Sequence, residues 1–269
     1  MRVKSSVVGL AAVLSMGGNL CGAETAAKPI TYPNSAEVTK PCVFTNATGE
    51  TLNYREYRSK GLMSLKKYPL VIFLHGAGER STDNVSQLAN GTQYIISYSE
   101  RTKQPMIFIA PQCPPNQQWV NTPWEAASHT MPAEPSVSMR LTIELIQSMV
   151  KKNPMVDAKR IYVMGLSMGG YGTWDAIQRH PELFAAAMPI CGGGDPQFAA
   201  KIKDVPVWAF HGDKDVCVQP QRTKTMIEAI QKAGGKPNYT AFPEQGHVCW
   251  DEAFKDDAVM KWFFSQRKK

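Results

Sequence analysis

A single α/β domain on a mostly parallel sheet is the fold class this sequence predicts, and three observations predict it. Short apolar runs of strand length recur at Pro69–Leu74, Pro105–Ala110, Arg160–Gly165, Ala185–Ile190, Val205–Phe210 and, more weakly, Tyr239–Phe242. Continuous apolarity, rather than alternation, marks strands buried on both faces. Between the runs lie segments with helical spacing: Ser136–Lys152, Met168–His180, Gln219–Ala233 and Asp251–Gln266. Strands alternating with helices imply parallel pairing through right-handed crossovers, with helices on both faces of the sheet. Finally, Glu37–Arg58 alternates loosely about Asn46-Ala47-Thr48-Gly49, the pattern of an antiparallel hairpin.

Each helical segment has a boundary signal. Pro154 and Pro181 follow the first two, and Gly234-Gly235 closes the third. In the first, Met139, Leu141, Ile143, Leu145, Ile146, Met149 and Val150 fall broadly on one face. Only about fourteen residues separate Ile190 from Val205, too few for a lid domain at that point of the sheet.

The chain begins with the grammar of an export signal. Arg2 and Lys4 precede the apolar run Val7–Met16, and Cys21-Gly22-Ala23 supplies small residues for cleavage after Ala23. The apolar run is too short to span a bilayer, which takes about 20 residues. A lipoprotein anchored at Cys21 is the weaker reading, because Asn19 and Leu20 are poor lead-ins to a lipidated cysteine. Residues 1–23 are therefore expected to be removed and 24–269 to form one catalytic domain, secreted or periplasmic. The formal charge of +7 falls to +5 without that segment, 28 basic against 23 acidic residues. This excess is scattered, and the terminal Arg267-Lys268-Lys269 reads as a solvated tail. Nothing in the composition argues for a nucleic-acid partner, and oligomeric state is left open.

Four short signals carry the chemistry. Gly165-Leu166-Ser167-Met168-Gly169 sits between a strand pattern and a helix pattern, where a serine on a sharp turn would rise from the carboxyl edge of the sheet. Val207–Phe210 runs into His211-Gly212-Asp213-Lys214-Asp215, which offers two carboxylates to orient a base. Asp213 is placed for turn capping, and Asp215 has the longer reach toward a neighbouring loop. Gly246-His247 follows the last strand. His75 and His211 end strands and His180 precedes Pro181, all structural positions, while His129 lies in a long loop with no obvious partner. Phe73-Leu74-His75-Gly76-Ala77-Gly78 leaves a strand into a glycine turn. Backbone N–H groups of Ala77 (or Gly78) and of Met168 would there bind a developing oxyanion. No cysteine or histidine spacing suggests a metal site, and no organic cofactor is called for.

These stretches, extended to Phe73–Arg80, Ala110–Pro114, Gly165–Gly170, His211–Asp215 and Gly246-His247, resemble the α/β-hydrolase superfamily. The branch is that of small secreted esterases and predicted peptidases, similar to dienelactone hydrolases, feruloyl and acetylxylan esterases, polyhydroxybutyrate depolymerases and prolyl oligopeptidase catalytic domains. The resemblance covers residues 40–265. It implies a nucleophile at Ser167, an acid at Asp215, a base at His247 and an oxyanion arm just after His75-Gly76. The activity it implies is hydrolysis of carboxylic esters, of small molecules or of groups linked to polysaccharide. A serine peptidase and a catalytically silent hydrolase fold used for binding are the alternatives. Trp119 and Trp124, on the long segment Cys113–Pro135, are candidates for substrate contact. If Asp215 and His247 touch, their loops are neighbours and a Cys217–Cys249 disulfide becomes geometrically possible; two separate thiols are the alternative.

Overall fold

Leu70, Ile72 and Leu74 of the strand Tyr68–Leu74 enter one hydrophobic core, while Val71 and Phe73 between them enter another. Both faces of this strand are dry, and so its sequence is apolar without a break. The computed structural model describes residues 30–269, of which Tyr32–Lys269 form one unit. The expected export segment 1–23 lies outside the described residues.

The strands are β1 (Lys40–Thr45), β2 (Thr51–Arg58), β3 (Tyr68–Leu74), β4 (Ile107–Pro111), β5 (Val156–Leu166), β6 (Ala186–Ile190), β7 (Trp208–Gly212) and β8 (Asn238–Phe242). They form one open sheet in the order β1-β2-β4-β3-β5-β6-β7-β8. The β1–β2 and β2–β4 pairs are antiparallel, and all others are parallel. The expected hairpin is therefore present, with Val43 opposite Asn53. Parallel pairing brings the carboxyl ends of β3 and β5 to β8 to one edge, where open α/β sheets gather their functional loops.

The helices are α1 (Ser35–Val38), α2 (Thr92–Arg101), α3 (Val137–Lys152), α4 (Met168–Arg179), α5 (Ala199–Ile202), α6 (Gln221–Lys232), α7 (Trp250–Lys255) and α8 (Asp257–Ser265). Met139, Leu145 and Ile146 of α3, Trp174 and Ile177 of α4, and Met226 and Ile230 of α6 pack on the face of Leu70 and Ile72. Ile95 and Ile96 of α2, Phe254 of α7 and Phe263 of α8 cover the face of Phe73. Among the described residues the four-residue α5 and one 3-10 turn are the only helical structure between β6 and β7, and no lid domain stands in that interval. No helix among the described residues is long and apolar enough to cross a membrane.

Two features differ from the sequence expectation. Helix α2 was not anticipated: its Thr-Gln-Tyr-Ile-Ile-Ser-Tyr-Ser run carries β-branched, aromatic and serine residues of modest helix propensity, and burial against the sheet stabilises it. The last helical segment is also broken in two. Asp256 leaves helical geometry (ψ 108°) and its carboxylate caps the N–H groups of Ala258 and Val259.

Candidate functional site

The turn after β5 is set by close backbone contact. A Cβ on Gly169 would lie 1.9 Å from the carbonyl oxygen of Leu74, and one on Gly165 would lie 2.4 Å from that of Gly169. Only glycine lets α4 start this close to β3 and β5. Ser167 between them is held at φ 55° and ψ −120°, a strained conformation for a residue with a side chain. Its N–H donates to the Ile190 carbonyl at 2.9 Å, which ties the turn to the end of β6. The hydroxyl is left half-buried at the sheet edge.

The loops after β7 and β8 meet by the same means. A Cβ on Gly212 would come within 2.2 Å of the Gly246 carbonyl, and the Lys214 N–H donates to Gln245 at 2.9 Å. This contact places His247 over Asp215. His247 Nδ1 lies 2.7 Å from Asp215 Oδ2, and His247 Nε2 lies 2.8 Å from Ser167 Oγ. A carboxylate accepts only, so Nδ1 carries the proton and Nε2 is free to accept one from the serine. The arrangement is a hydroxyl, an imidazole and a buried carboxylate in line, able to generate an alkoxide-like nucleophile.

Asp215 is anchored at both oxygens. Oδ1 accepts from the N–H groups of Cys217 (2.8 Å) and Val218 (2.9 Å), and Oδ2 accepts from His247 and from His211 Nε2 at 3.1 Å. Burial works to raise this carboxyl, but the hydrogen bonds from His211, His247 and Val218 outweigh it and hold the group well below the usual carboxylate range. The rival Asp213 is turned away: its carboxylate accepts from Lys224 Nζ at 3.0 Å. Two sets of described residues have ligand-type atoms close enough for one metal ion, Cys191–His211–Asp215 and Asp215–Cys217–His247. Both depend on Asp215, whose oxygens four N–H donors already occupy.

Residues 128–258, a stretch that takes in Ser167, Asp215 and His247, match the dienelactone hydrolase family. The chain has the α/β-hydrolase fold. The crystal structure of a thermostable esterase is similar over 86% of this chain and 64% of that one, with 35% identity and a TM-score of 0.79. The poly(3-hydroxyalkanoate) depolymerase C of Paucimonas lemoignei is 28% identical over 131 residues, 46% of this chain and 28% of the relative. The bifunctional acetylxylan esterase/xylanase of Neocallimastix patriciarum is 28% identical over 131 residues, 42% of this chain and 19% of the relative. The chain thus spans less than a third of either curated relative and 64% of the esterase.

The glycine turn after β3 lies beside the Ser167 turn, where a Cβ on Gly76 would come within 2.9 Å of the Leu166 side chain. Ala77 opens a 3-10 turn after Gly76, and Met168 opens α4, so each contributes an N–H that a helical segment leaves without an internal partner. His75 holds the turn from beneath. Its Nδ1 donates to the Gly76 carbonyl at 2.7 Å, and its Nε2 accepts from the Cys113 N–H at 2.9 Å. Acceptance at Nε2 requires the neutral ring, and burial lowers its pKa to about 4.

The two candidate tryptophans part company. Trp119 is fully buried and its indole N–H donates to the His75 carbonyl at 3.0 Å. Of the two readings its loop position allows, substrate contact is therefore corrected for Trp119: it anchors the loop to the turn after β3. Trp124 is half-buried, with the Arg80 guanidinium 5.8 Å from its ring centroid. Arg80 in turn donates to the Ala77 carbonyl at 2.9 Å, so Trp124 borders the same turn. Of the two readings open for Cys217 and Cys249, a disulfide or two separate thiols, the structure favours separate thiols. Cys217 is exposed at the rim, whereas Cys249 is fully buried with its sulfur against Cys191.

Two groups escaped the sequence reading. His211, taken as structural, donates to the oxygen of Asp215 that His247 uses; its spacing of four residues from Asp215 was the available signal. His129 accepts from Arg222, a buried guanidinium stacked 5.2 Å over Tyr171. Burial first and the Arg222 charge second bring the His129 pKa down to about 4, so the pair secures the long loop as donor and neutral acceptor.

Proposed function

We propose that this chain is a serine esterase that cleaves carboxylic esters through an acyl-enzyme. The observation that carries the reading is the continuous hydrogen-bonded line from Ser167 Oγ through His247 to Asp215 Oδ2. In the first half-reaction His247 Nε2 takes the Ser167 proton as Oγ attacks the ester carbonyl. The tetrahedral oxyanion is bound by the N–H groups of Met168 and Ala77, each contributing about 3 kcal/mol to the barrier reduction. The imidazolium, steadied by Asp215, gives its proton to the leaving alcohol. Water attacks the acyl-serine by the same route in reverse. Every step uses groups of this chain.

Similarity to a thermostable esterase and to an acetylxylan esterase/xylanase supports ester over amide as the scissile bond. The short β6–β7 connection keeps the cleft open, which suits acyl groups carried on bulky alcohols, polysaccharide among them. The half-exposed Trp124 offers a ring for stacking on a sugar or an aromatic acyl group. Export by residues 1–23 would deliver such an enzyme to polymeric substrates outside the cytoplasm.

The test is a p-nitrophenyl ester series from acetate to decanoate, with methyl ferulate alongside, on wild type and Ser167→Ala. Turnover of the short or feruloyl esters that vanishes in the variant is the expected outcome. Turnover of peptide substrates with none of any ester would replace the esterase reading with a peptidase. Ester turnover retained by the variant would remove Ser167 as nucleophile.

A further inference from the structure

Ser167 is not the only residue with a side chain held at positive φ on this edge of the sheet. Cys191, the first residue beyond β6, sits at φ 49°, and it directly follows Ile190, whose carbonyl receives the Ser167 N–H. Its own N–H donates to the Phe210 carbonyl at 2.9 Å, so the strained position is fixed from both sides. Glycine would relieve that strain, and Gly192, Gly193 and Gly194 follow immediately. A side chain kept at such a position points to a use for it.

The Cys191 sulfur lies 3.0 Å from the sulfur of Cys249 and 3.2 Å from the His247 carbonyl oxygen. Both cysteines are fully buried, and Cys249 stands two residues beyond the base, at the start of α7. The pair therefore joins the two segments that position nucleophile and base. The remaining described cysteines are set apart from it: Cys113 donates to Ser138 Oγ, Cys217 is exposed and Cys42 is half-buried on β1.

We propose that Cys191 and Cys249 form a disulfide that staples the His247 loop to the end of β6. The oxidant is a small-molecule disulfide, RSSR, such as glutathione disulfide. One cysteine thiolate displaces RS⁻ to give a mixed disulfide, and the second thiolate displaces the other RS⁻. Each thiol loses one proton, the pair loses two electrons to RSSR, and one protein S–S bond and two RSH result. In the closed fold the neighbouring Cys249 thiol and burial hold the Cys191 thiol well above the usual thiol range, which makes it a poor nucleophile there. Exchange accordingly takes place on the folding chain, before these residues are covered, and burial afterwards shields the bond from reductant. The loop so closed spans 58 positions, long enough for a large effect on the unfolded state.

The cross-link is independent of which bond the enzyme cleaves, and its primary readout is mass. The full-length protein is exported to an oxidising compartment, and a second sample is refolded in glutathione disulfide with glutathione. Each is denatured, alkylated without reductant and digested. The expected result is one linked peptide pair containing Cys191 and Cys249, with Cys42, Cys113 and Cys217 alkylated. Separate alkylation of Cys191 and Cys249 in both samples would overturn the proposal. Thermal melts of samples unfolded and refolded with and without reductant, so that the shielded bond is reached, give a second reading. Wild type should lose roughly 10 °C on reduction, and a Cys191→Ser/Cys249→Ser variant should lose nothing. An unchanged wild-type melt, or an equal loss in the variant, would also overturn it.

Discussion

The imidazoles of His211 and His247 converge on a single oxygen of Asp215, Oδ2, at 3.1 and 2.7 Å. The carboxylate is thus gripped from the strand that precedes it as well as from the loop after β8. Asp215→Asn replaces an acceptor with an amide that can face either ring with an N–H. We expect kcat to fall by about 10⁴-fold because His247 is pushed to the wrong tautomer, while the fold persists. Circular dichroism together with p-nitrophenyl acetate turnover checks both halves. A loss under tenfold would mean that Asp215 does not set the His247 tautomer.

Backbone proximity at the elbow makes a stability prediction. Gly169→Ala brings a methyl to within 1.9 Å of the Leu74 carbonyl oxygen, backbone that cannot step aside. Gly78, on the neighbouring turn, has nothing within 4 Å of its Cβ position. Urea unfolding should show Gly169→Ala destabilised by at least about 3 kcal/mol and Gly78→Ala changed by less than about 0.5 kcal/mol. Comparable effects in the two variants would show that the close approach is not what selects glycine at 169.

The two tryptophans should respond in opposite ways. Trp119→Ala removes a fully buried ring and its hydrogen bond, so it should cost about 3–5 kcal/mol of stability without changing ester preference. Trp124→Ala should leave stability nearly intact. It should lower kcat/KM about tenfold for methyl ferulate and little for p-nitrophenyl acetate. An equal loss on both esters would remove Trp124 from the acyl-binding surface.

His75 gives the pH dependence a definite sign. Its folded pKa of about 4 lies below the ordinary value of 6.5, so between these limits the unfolded chain binds a proton that the folded chain does not. Its share of the stability is complete above pH 6.5 and is lost as pH falls from 6.5 toward 4, at up to about 1.4 kcal/mol per pH unit. Unfolding free energies at pH 7 and pH 4.5 should therefore converge between wild type and His75→Gln by about 2 kcal/mol. Parallel curves would show that His75 is not held neutral by its contacts.

How much of this was legible in the chain follows from what each residue depends on. The central strands could be read directly, because burial on both faces leaves an unbroken apolar run, as in Leu70–Leu74. Ser167, Asp215 and His247 were legible because each stands just past a strand end in a glycine turn, and parallel pairing brings such ends together. Helix α2 was not, since its burial against Phe73 comes from the sheet and not from its own propensities. Trp119 and Trp124 look alike in sequence, and only the packing of one under the turn after β3 separates them. The cysteines failed for a related reason. Proximity of Asp215 to His247 says which loops are neighbours, but not which way a side chain two residues further on is turned. Cys249 points inward to Cys191 and Cys217 points to solvent.

The measurement that bears most directly on the central claim is covalent labelling with a fluorophosphonate, followed by peptide mapping. We expect stoichiometric adduct on Ser167, with loss of p-nitrophenyl acetate turnover in proportion to labelling, and no adduct in His247→Ala on the same timescale. An unlabelled Ser167 in folded protein, or full labelling at another serine with the same loss of activity, would contradict it.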